Sequence, residues 1–250
     1  MGRPRTFGLT SIDSSHLTTS SQILTIRAMD TVNYNKLNLL ANQLGADLFG
    51  VASTDKLWRY IDDELKPSAA KLPYTISIAI RLQRAVLESL INGPNQLYKI
   101  HYRQVNTTLD NISQELSRRI QQDGYQAIPI AASFIIDWNK QNSHISHRHA
   151  ALEAGLGFWG KNNLLIHPTF GAGIRLASIL TDIPLRVDSQ IPNDCGGCLA
   201  CMAACPADAI SEDGFDFDNC YAKIKEFSHN NNFGLMICGL CLKACTDARS

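Results

Sequence analysis

Eight cysteines carry most of the chemistry this sequence can do. The first four form the run Cys195-Gly196-Gly197-Cys198-Leu199-Ala200-Cys201-Met202-Ala203-Ala204-Cys205-Pro206, a C-x2-C-x2-C-x3-C-P spacing. Three thiolates two residues apart reach three corners of one cubane, and the fourth, followed by proline, serves a neighbouring cluster. The run therefore calls for a second cysteine set, and the chain supplies Cys220, Cys238, Cys241 and Cys245. Cys238-x2-Cys241-x3-Cys245 repeats the second half of the first run, with Cys220 displaced upstream by an insertion. On this reading Cys195, Cys198, Cys201 and Cys245 hold one [4Fe–4S] cluster, and Cys205, Cys220, Cys238 and Cys241 hold the other. Thr246 stands where a second proline is expected; proline is not a ligand, so the site is retained.

Two plainer readings of the cysteines are weaker. Four disulfides would suit a secreted chain, but all eight cysteines lie beyond residue 194, and thiols this close cannot all reach distant partners. Paired zinc sites use other spacings. Iron–sulfur thiolates also argue for a reducing compartment, the cytoplasm.

A second polar concentration is His144-Ile145-Ser146-His147-Arg148-His149, followed by Gly155-Leu156-Gly157-Phe158-Trp159-Gly160-Lys161-Asn162-Asn163. His144, His147 and His149 could converge on a single metal, although three loop histidines without an acidic or cysteine partner are more often solvated. The glycine turn matches G-x-G-x-x-G but follows a helical pattern rather than a strand, so a dinucleotide-binding reading is weak. Lys161 beside the glycines could contact an anionic group.

The elements that must position these residues can be read from periodicity. Val105, Leu109, Ile112, Leu116 and Ile120 make one apolar stripe on a helix over 96–122, ended by Gly124. Residues 75–80 alternate and are β-branched, a strand; 47–52, 164–167 and 174–180 read likewise, and 125–136 as one or two strands. Tyr34, Leu37, Leu40 and Leu44 give a helix that starts near Asp30-Thr31 and stops at Gly45. Shorter helices are expected over 56–65, 83–91 and 150–154. Residues 1–30 are rich in Ser and Thr and read as a poorly ordered leader, with Met29 a candidate true start. Residues 31–190 then form an α/β layered front domain, with 182–193 a linker into a small cluster domain over 191–250.

Composition narrows the functions. The 250 residues carry 23 basic and 23 acidic side chains, not the clustered basic face of a nucleic-acid binder. No apolar run approaches a membrane span, and the N-terminus lacks a secretory signal. The front domain over 31–190 places about 160 residues ahead of the clusters, more than a simple ferredoxin needs, so it is expected to hold an electron acceptor.

The glycine turn, the segment Leu176-Ala177-Ser178-Ile179-Leu180-Thr181-Asp182-Ile183-Pro184-Leu185, the cysteine run and the displaced Cys220 together resemble epoxyqueuosine reductase, a family related to reductive dehalogenases. The resemblance extends over roughly 31–245 and is densest from 147 to 241. It implies an α/β (α+β) fold, a nitroreductase-like front domain joined to a two-cluster ferredoxin-like domain. It further implies a cobalamin held between them and reduced by the clusters, with the cofactor carrying the hard chemistry. His147, Arg148, Gly157, Trp159, Gly160 and Lys161 would line the corrinoid or substrate pocket, and Asp137 would return the proton. The implied partners are a reducible small molecule or modified nucleoside and an external flavodoxin- or ferredoxin-type donor. The family's C-terminal helical extension has no counterpart after Cys245, which weighs against tRNA. An electron carrier without a corrinoid and a cytoplasmic dehalogenase are the alternatives.

Overall fold

The structure is a computed structural model that describes residues 15–138, 141–230 and 233–249. Its centre is a four-stranded sheet. Helix α1 (Ser15–Gln43) leads into β1 (Leu48–Ser53), a 3-10 turn (Thr54–Tyr60) and the short α2 (Lys66–Ala69). Strand β2 (Tyr74–Arg81), α3 (Arg84–Glu88), α4 (Gln96–Gln122) and β3 (Ala127–Ile130) follow. Next come α5 (His147–Glu153), the two-residue strands β4 (Phe158–Trp159) and β5 (Leu165–Ile166), and β6 (Ile174–Thr181). The sheet order is β1-β2-β6-β3 and every pairing is antiparallel.

Strand periodicity of two assigns each side chain to a face. Ile76, Ile78, Ala177 and Ile179 enter one core with Leu37, Leu109, Leu116 and Ile120, from α1 and α4. Ala79, Leu176 and Leu180 enter a second core with Leu57 of the 3-10 turn, Ile145, and Ala150 and Ala151 of α5. The sheet is thus covered on both faces. The stripe expected on α4 is buried throughout, and the helix occupies the bounds read from sequence. Asn95 caps it, its side-chain oxygen accepting from the Tyr98 N–H at 2.9 Å.

Several expectations are corrected. Of the leader expected over 1–30, residues 1–14 lie outside the described residues, and α1 begins at Ser15. The helix expected over 56–65 is a 3-10 turn that ends at Tyr60. Only 127–130 of the 125–136 stretch is strand, pairing with β6 as far as Ile130; Pro129 is tolerated within it because β3 is an edge strand. Residues 182–193 are more than a linker. Ile183 and Leu185 are buried, and the Asp188 carboxylate accepts from the Tyr34 hydroxyl at 2.8 Å and the Val51 N–H at 3.0 Å. This strap fastens the outer edge of β1.

After the strap the chain forms α6 (Ala200–Ala203), α7 (Phe217–His229) and α8 (Leu240–Asp247). Helices α6 and α8 pack together, and α8 closes onto the front domain without room to spare. A Cβ on Gly171 would lie 2.6 Å from the Cys245 carbonyl oxygen, and one on Gly173 would lie 2.6 Å from Thr246 Oγ1. Thr246 is therefore a packing residue. Its hydroxyl donates back to the Leu242 carbonyl at 2.9 Å, so α8 continues through the position where a proline was expected.

Candidate functional site

The cysteines fall into two groups. Burial raises the Cys201 thiol above its ordinary value, and the nearby charges of Cys245, Cys195 and Cys198 add to this. Burial, Cys205, Cys238 and Asp216 push Cys220 up to about 11. Cys241 is raised by burial, then by Cys238, Cys220 and Cys205, with Cys201 the weakest influence. Cys245 is raised by burial, with Cys195 contributing. These buried thiols, close to other cysteines, resist ionisation. That is the condition which iron relieves by binding thiolates, so both donor sets fit a cluster. The Ala209 N–H also donates to Cys205 Sγ at 3.4 Å, the kind of bond that tunes cluster sulfur.

Local backbone explains the cysteine spacing. Gly196, at φ +50°, turns the first loop, with its N–H donating to Asp194 Oδ1 at 2.7 Å. Gly239, at φ +90°, precedes α8, and a Cβ there would lie 2.8 Å from the Tyr98 ring. A side chain at either position would be strained.

A cavity of about 630 Å³ lies between the front domain and the second cysteine set. It opens where β3 ends. Strand β3 pairs with β6 only over Ser178–Thr181, which leaves the Ile174–Ala177 edge without a strand neighbour on that side. Arg175 reaches the cavity from that edge, while Met236 and Leu242 line it from the segment carrying Cys238 and Cys241. Arg59, Tyr60, Tyr102, Ser143, His147 and Arg148 are also in the wall.

Arg175 is held at three points. Its Nε donates to Asn106 Oδ1 at 3.0 Å, its Nη2 to the Tyr102 hydroxyl at 3.0 Å, and again to the Ala132 carbonyl at 3.4 Å. None of Arg59, Arg148 and Arg175 pairs with a carboxylate among the described residues. Ser143 Oγ is buried without a hydrogen-bond partner among them. A mixed wall with guanidinium groups that lack a carboxylate partner among the described residues and an orphaned hydroxyl fits a ligand carrying amides and phosphate, as a corrinoid does.

His147 and His149 are both held by protein partners. His147 Nε2 faces the Ala131 carbonyl at 3.0 Å and must donate to it, so Nδ1 accepts from Ser178 Oγ at 2.8 Å. Burial, helped by the Arg175 charge, pulls this imidazole down to about 4. It is a neutral clamp between α5, β6 and the cavity wall. His149 stacks between Tyr60, at 3.5 Å, and Trp159, at 4.7 Å. Arg59 lies over the Tyr60 ring and Arg148 over that of Trp159. Burial and the two arginines bring His149 to about 4 as well. Among the described residues no three His, Cys, Asp or Glu side chains converge on a single-ion geometry; a cubane's thiolates stand further apart.

Of the residues expected to line the pocket, His147 and Arg148 do so, and Gly157, Trp159, Gly160 and Lys161 do not. The glycine turn is the small hairpin β4–β5, closed by the Gly160 N–H on the Leu164 carbonyl at 2.9 Å. Its glycines are closely packed. A Cβ on Gly157 would run into the Ile166 carbonyl oxygen, and one on Gly160 would lie 2.6 Å from Ile166 Cγ1. Lys161 turns away to the cluster loop, donating to the Gly196 carbonyl at 3.0 Å and that of Cys198 at 3.3 Å. Asp137 sits on a tight reversal, paired with Asn142 by a backbone bridge, beside the cavity residues Gln141 and Asn142. Sequence reasoning missed Tyr102 and Arg175. Alternation along β6 could have placed Arg175 on the α4 face, but nothing local marks that edge as open.

Fold and cysteine set define a mixed α/β protein with an antiparallel sheet and a C-terminal ferredoxin-like [4Fe–4S] domain. Residues 190–211 match the family described as 4Fe-4S binding domain. The chain is similar to the epoxyqueuosine reductase of Aliivibrio fischeri, at 30% identity over 61% of this chain and 40% of that protein. It thus spans less than half the length of that relative. A solved epoxyqueuosine reductase, in complex with an epoxyqueuosine-modified tyrosine tRNA stem loop, shares the fold. Its TM-score is 0.56 at 19% identity, over 84% of this chain and 64% of that one. So does a reductive dehalogenase described with a mechanism for B12-dependent dehalogenation. Its TM-score is 0.59 at 24% identity, over 69% of this chain and 24% of that one. The resemblance drawn from the glycine turn, β6 and the cysteine run therefore stands. Among the described residues no helix is long and apolar enough to cross a membrane.

Proposed function

We propose that this chain is a cytoplasmic iron–sulfur reductase of the epoxyqueuosine reductase type, acting on an epoxide-like group, with a modified nucleoside as the substrate class. The observation that carries the reading is the shared wall: Met236 and Leu242 belong both to the cavity and to the segment bearing Cys238 and Cys241. Electrons entering from a flavodoxin- or ferredoxin-type donor would pass from the Cys195, Cys198, Cys201, Cys245 cluster to the Cys205, Cys220, Cys238, Cys241 cluster and so to the cavity. In domain terms, 31–190 would provide the reaction chamber and 191–250 the supply.

A bound cobalamin would supply a strongly reducing cobalt centre. The chain's own residues hold and orient. Arg59, Arg148 and Arg175 offer guanidinium groups to phosphate, and Ser143 offers a hydroxyl to an amide. Met236 and Leu242 keep water from the floor. Asp137, on its reversal beside the cavity, is the donor the resemblance implies. The geometry favours Tyr102 as a second donor. Its hydroxyl is in the wall, and burial, which alone would raise it, is overcome by Arg175 with hydrogen bonds from Ser133 and Asn106, so the phenol is lowered. An acid moved toward working pH gives up its proton more readily.

The test is anaerobic reconstitution with iron, sulfide and hydroxocobalamin, followed by metal analysis and assay on an epoxyqueuosine-modified stem loop. About eight irons and one cobalt per chain, with loss of the epoxide, are expected. Eight irons without cobalt would leave an electron carrier. Turnover of a halophenol and not of the epoxide would favour the dehalogenase reading, which the fold also accommodates.

A further inference from the structure

The β4–β5 hairpin delivers positive charge to one cluster only. Lys161 leaves the hairpin turn and crosses to the first cysteine loop, where its ammonium donates to the carbonyls of Gly196 and Cys198. Arg249 approaches the same set from the end of the chain, its charge working against the burial that raises the Cys245 thiol. It lies 5.0 Å over the ring of Phe158, the first residue of β4. Two cations therefore flank the Cys195, Cys198, Cys201, Cys245 set, and both are seated on one hairpin of the front domain. The second set has a different surrounding. The Asp216 carboxylate acts on Cys220 and the Lys223 ammonium on Cys238, so opposite charges offset each other there.

We propose that Lys161 is a positioning residue that raises the reduction potential of the first cluster above that of the second, which makes the first cluster the one a donor fills. The physical reason is charge. Reduction adds one electron to an already anionic cluster, and a nearby fixed cation stabilises the reduced form more than the oxidised one. Lys161 acts through the carbonyls it holds and does not touch iron. The glycine turn gains a function by this route: its close packing against Ile166 fixes the base of the hairpin from which Lys161 extends. This inference rests on the two-cluster reading given above.

The experiment is an anaerobic redox titration followed by electron paramagnetic resonance, on the full chain with both clusters and no substrate. Lys161→Gln keeps a donor for the two carbonyls and removes the charge; Lys161→Arg keeps the charge. In Lys161→Gln one midpoint moves to more negative potential and the other stays. At the wild-type midpoint the reduced-to-oxidised ratio of that cluster falls about tenfold, equivalent to about 59 mV for a one-electron couple. Lys161→Arg leaves both midpoints at their wild-type values. Full iron content with neither midpoint moved would overturn the proposal. Loss of four irons in both Lys161→Gln and Lys161→Met would make Lys161 a structural clasp and overturn it equally. A wild-type chain that takes up no iron would instead defeat the two-cluster reading itself.

Discussion

The Arg175 guanidinium donates to the Tyr102 hydroxyl at 3.0 Å and lies over the same ring, 4.3 Å from its centroid. Tyr98, whose ring centroid is 6.4 Å from that of Tyr102, has no such hydrogen bond. Burial raises its phenol far above the ordinary tyrosine value, while Tyr102 is lowered. Two adjacent tyrosines, both enclosed, are driven apart by one cation. Arg175→Met should therefore raise the ionisation midpoint of Tyr102, read as the difference in ultraviolet titration between that variant and Arg175→Met with Tyr102→Phe. A Tyr102 midpoint unmoved by loss of the guanidinium would sink the account of its lowering.

His147 makes acid stability a specific prediction. Its imidazole is at about 4 in the folded chain, against 6.5 for a free histidine. Between those values the unfolded chain binds more protons than the folded one, so stability falls as pH falls from 6.5 toward 4 and is fully present above 6.5. The shift corresponds to a loss on the order of 3 kcal/mol. Urea midpoints measured anaerobically from pH 7 to pH 5 should decline in the wild type and decline less in His147→Asn. Equal slopes would show that His147 charges as readily in the folded protein as in the unfolded chain.

Crossed ligation can be counted in iron. If Cys245 serves the first cluster and Cys205 the second, Cys198→Ser with Cys245→Ser disables one cluster and should leave about four of eight irons. Cys198→Ser with Cys205→Ser disables both and should leave almost none. The reverse pattern, almost no iron in the first double variant and about four irons in the second, would mean that each cysteine run ligates its own cluster.

Gly157→Ala tests whether the glycine turn is packing or cradle. The added methyl would meet the Ile166 backbone carbonyl, which cannot yield like a side chain. Overpacking of this kind costs about 1–3 kcal/mol, a fall in melting temperature of several degrees. Gly197→Ala, where nothing lies within 4 Å, is the control and should melt close to the wild type. A Gly157→Ala chain that melts normally but takes up no cobalamin would return the turn to the ligand.

Local pattern by itself determines much of this protein. The C-x2-C-x2-C-x3-C-P spacing marks the [4Fe–4S] binding segment, since covalent geometry limits which thiols share a cubane. The stripe from Val105 to Ile120 marks α4, and alternation marks β2 and β6, because helix and strand periods are properties of the chain itself. Tertiary structure decides the rest. Gly157 and Gly160 look alike as ligand cradle and as close-packed backbone, and only the arrival of Ile166 distinguishes them. The partner of Lys161 is the first cysteine loop thirty-five residues on, at the Gly196 carbonyl, and nothing around the lysine points there. Tyr102 and Arg175 are seventy-three residues apart, and their pairing depends on β3 stopping at Ile130 so that the edge of β6 lies open. Distances of that kind are set by how sheet, helix and cluster domain pack, which no window of sequence encodes.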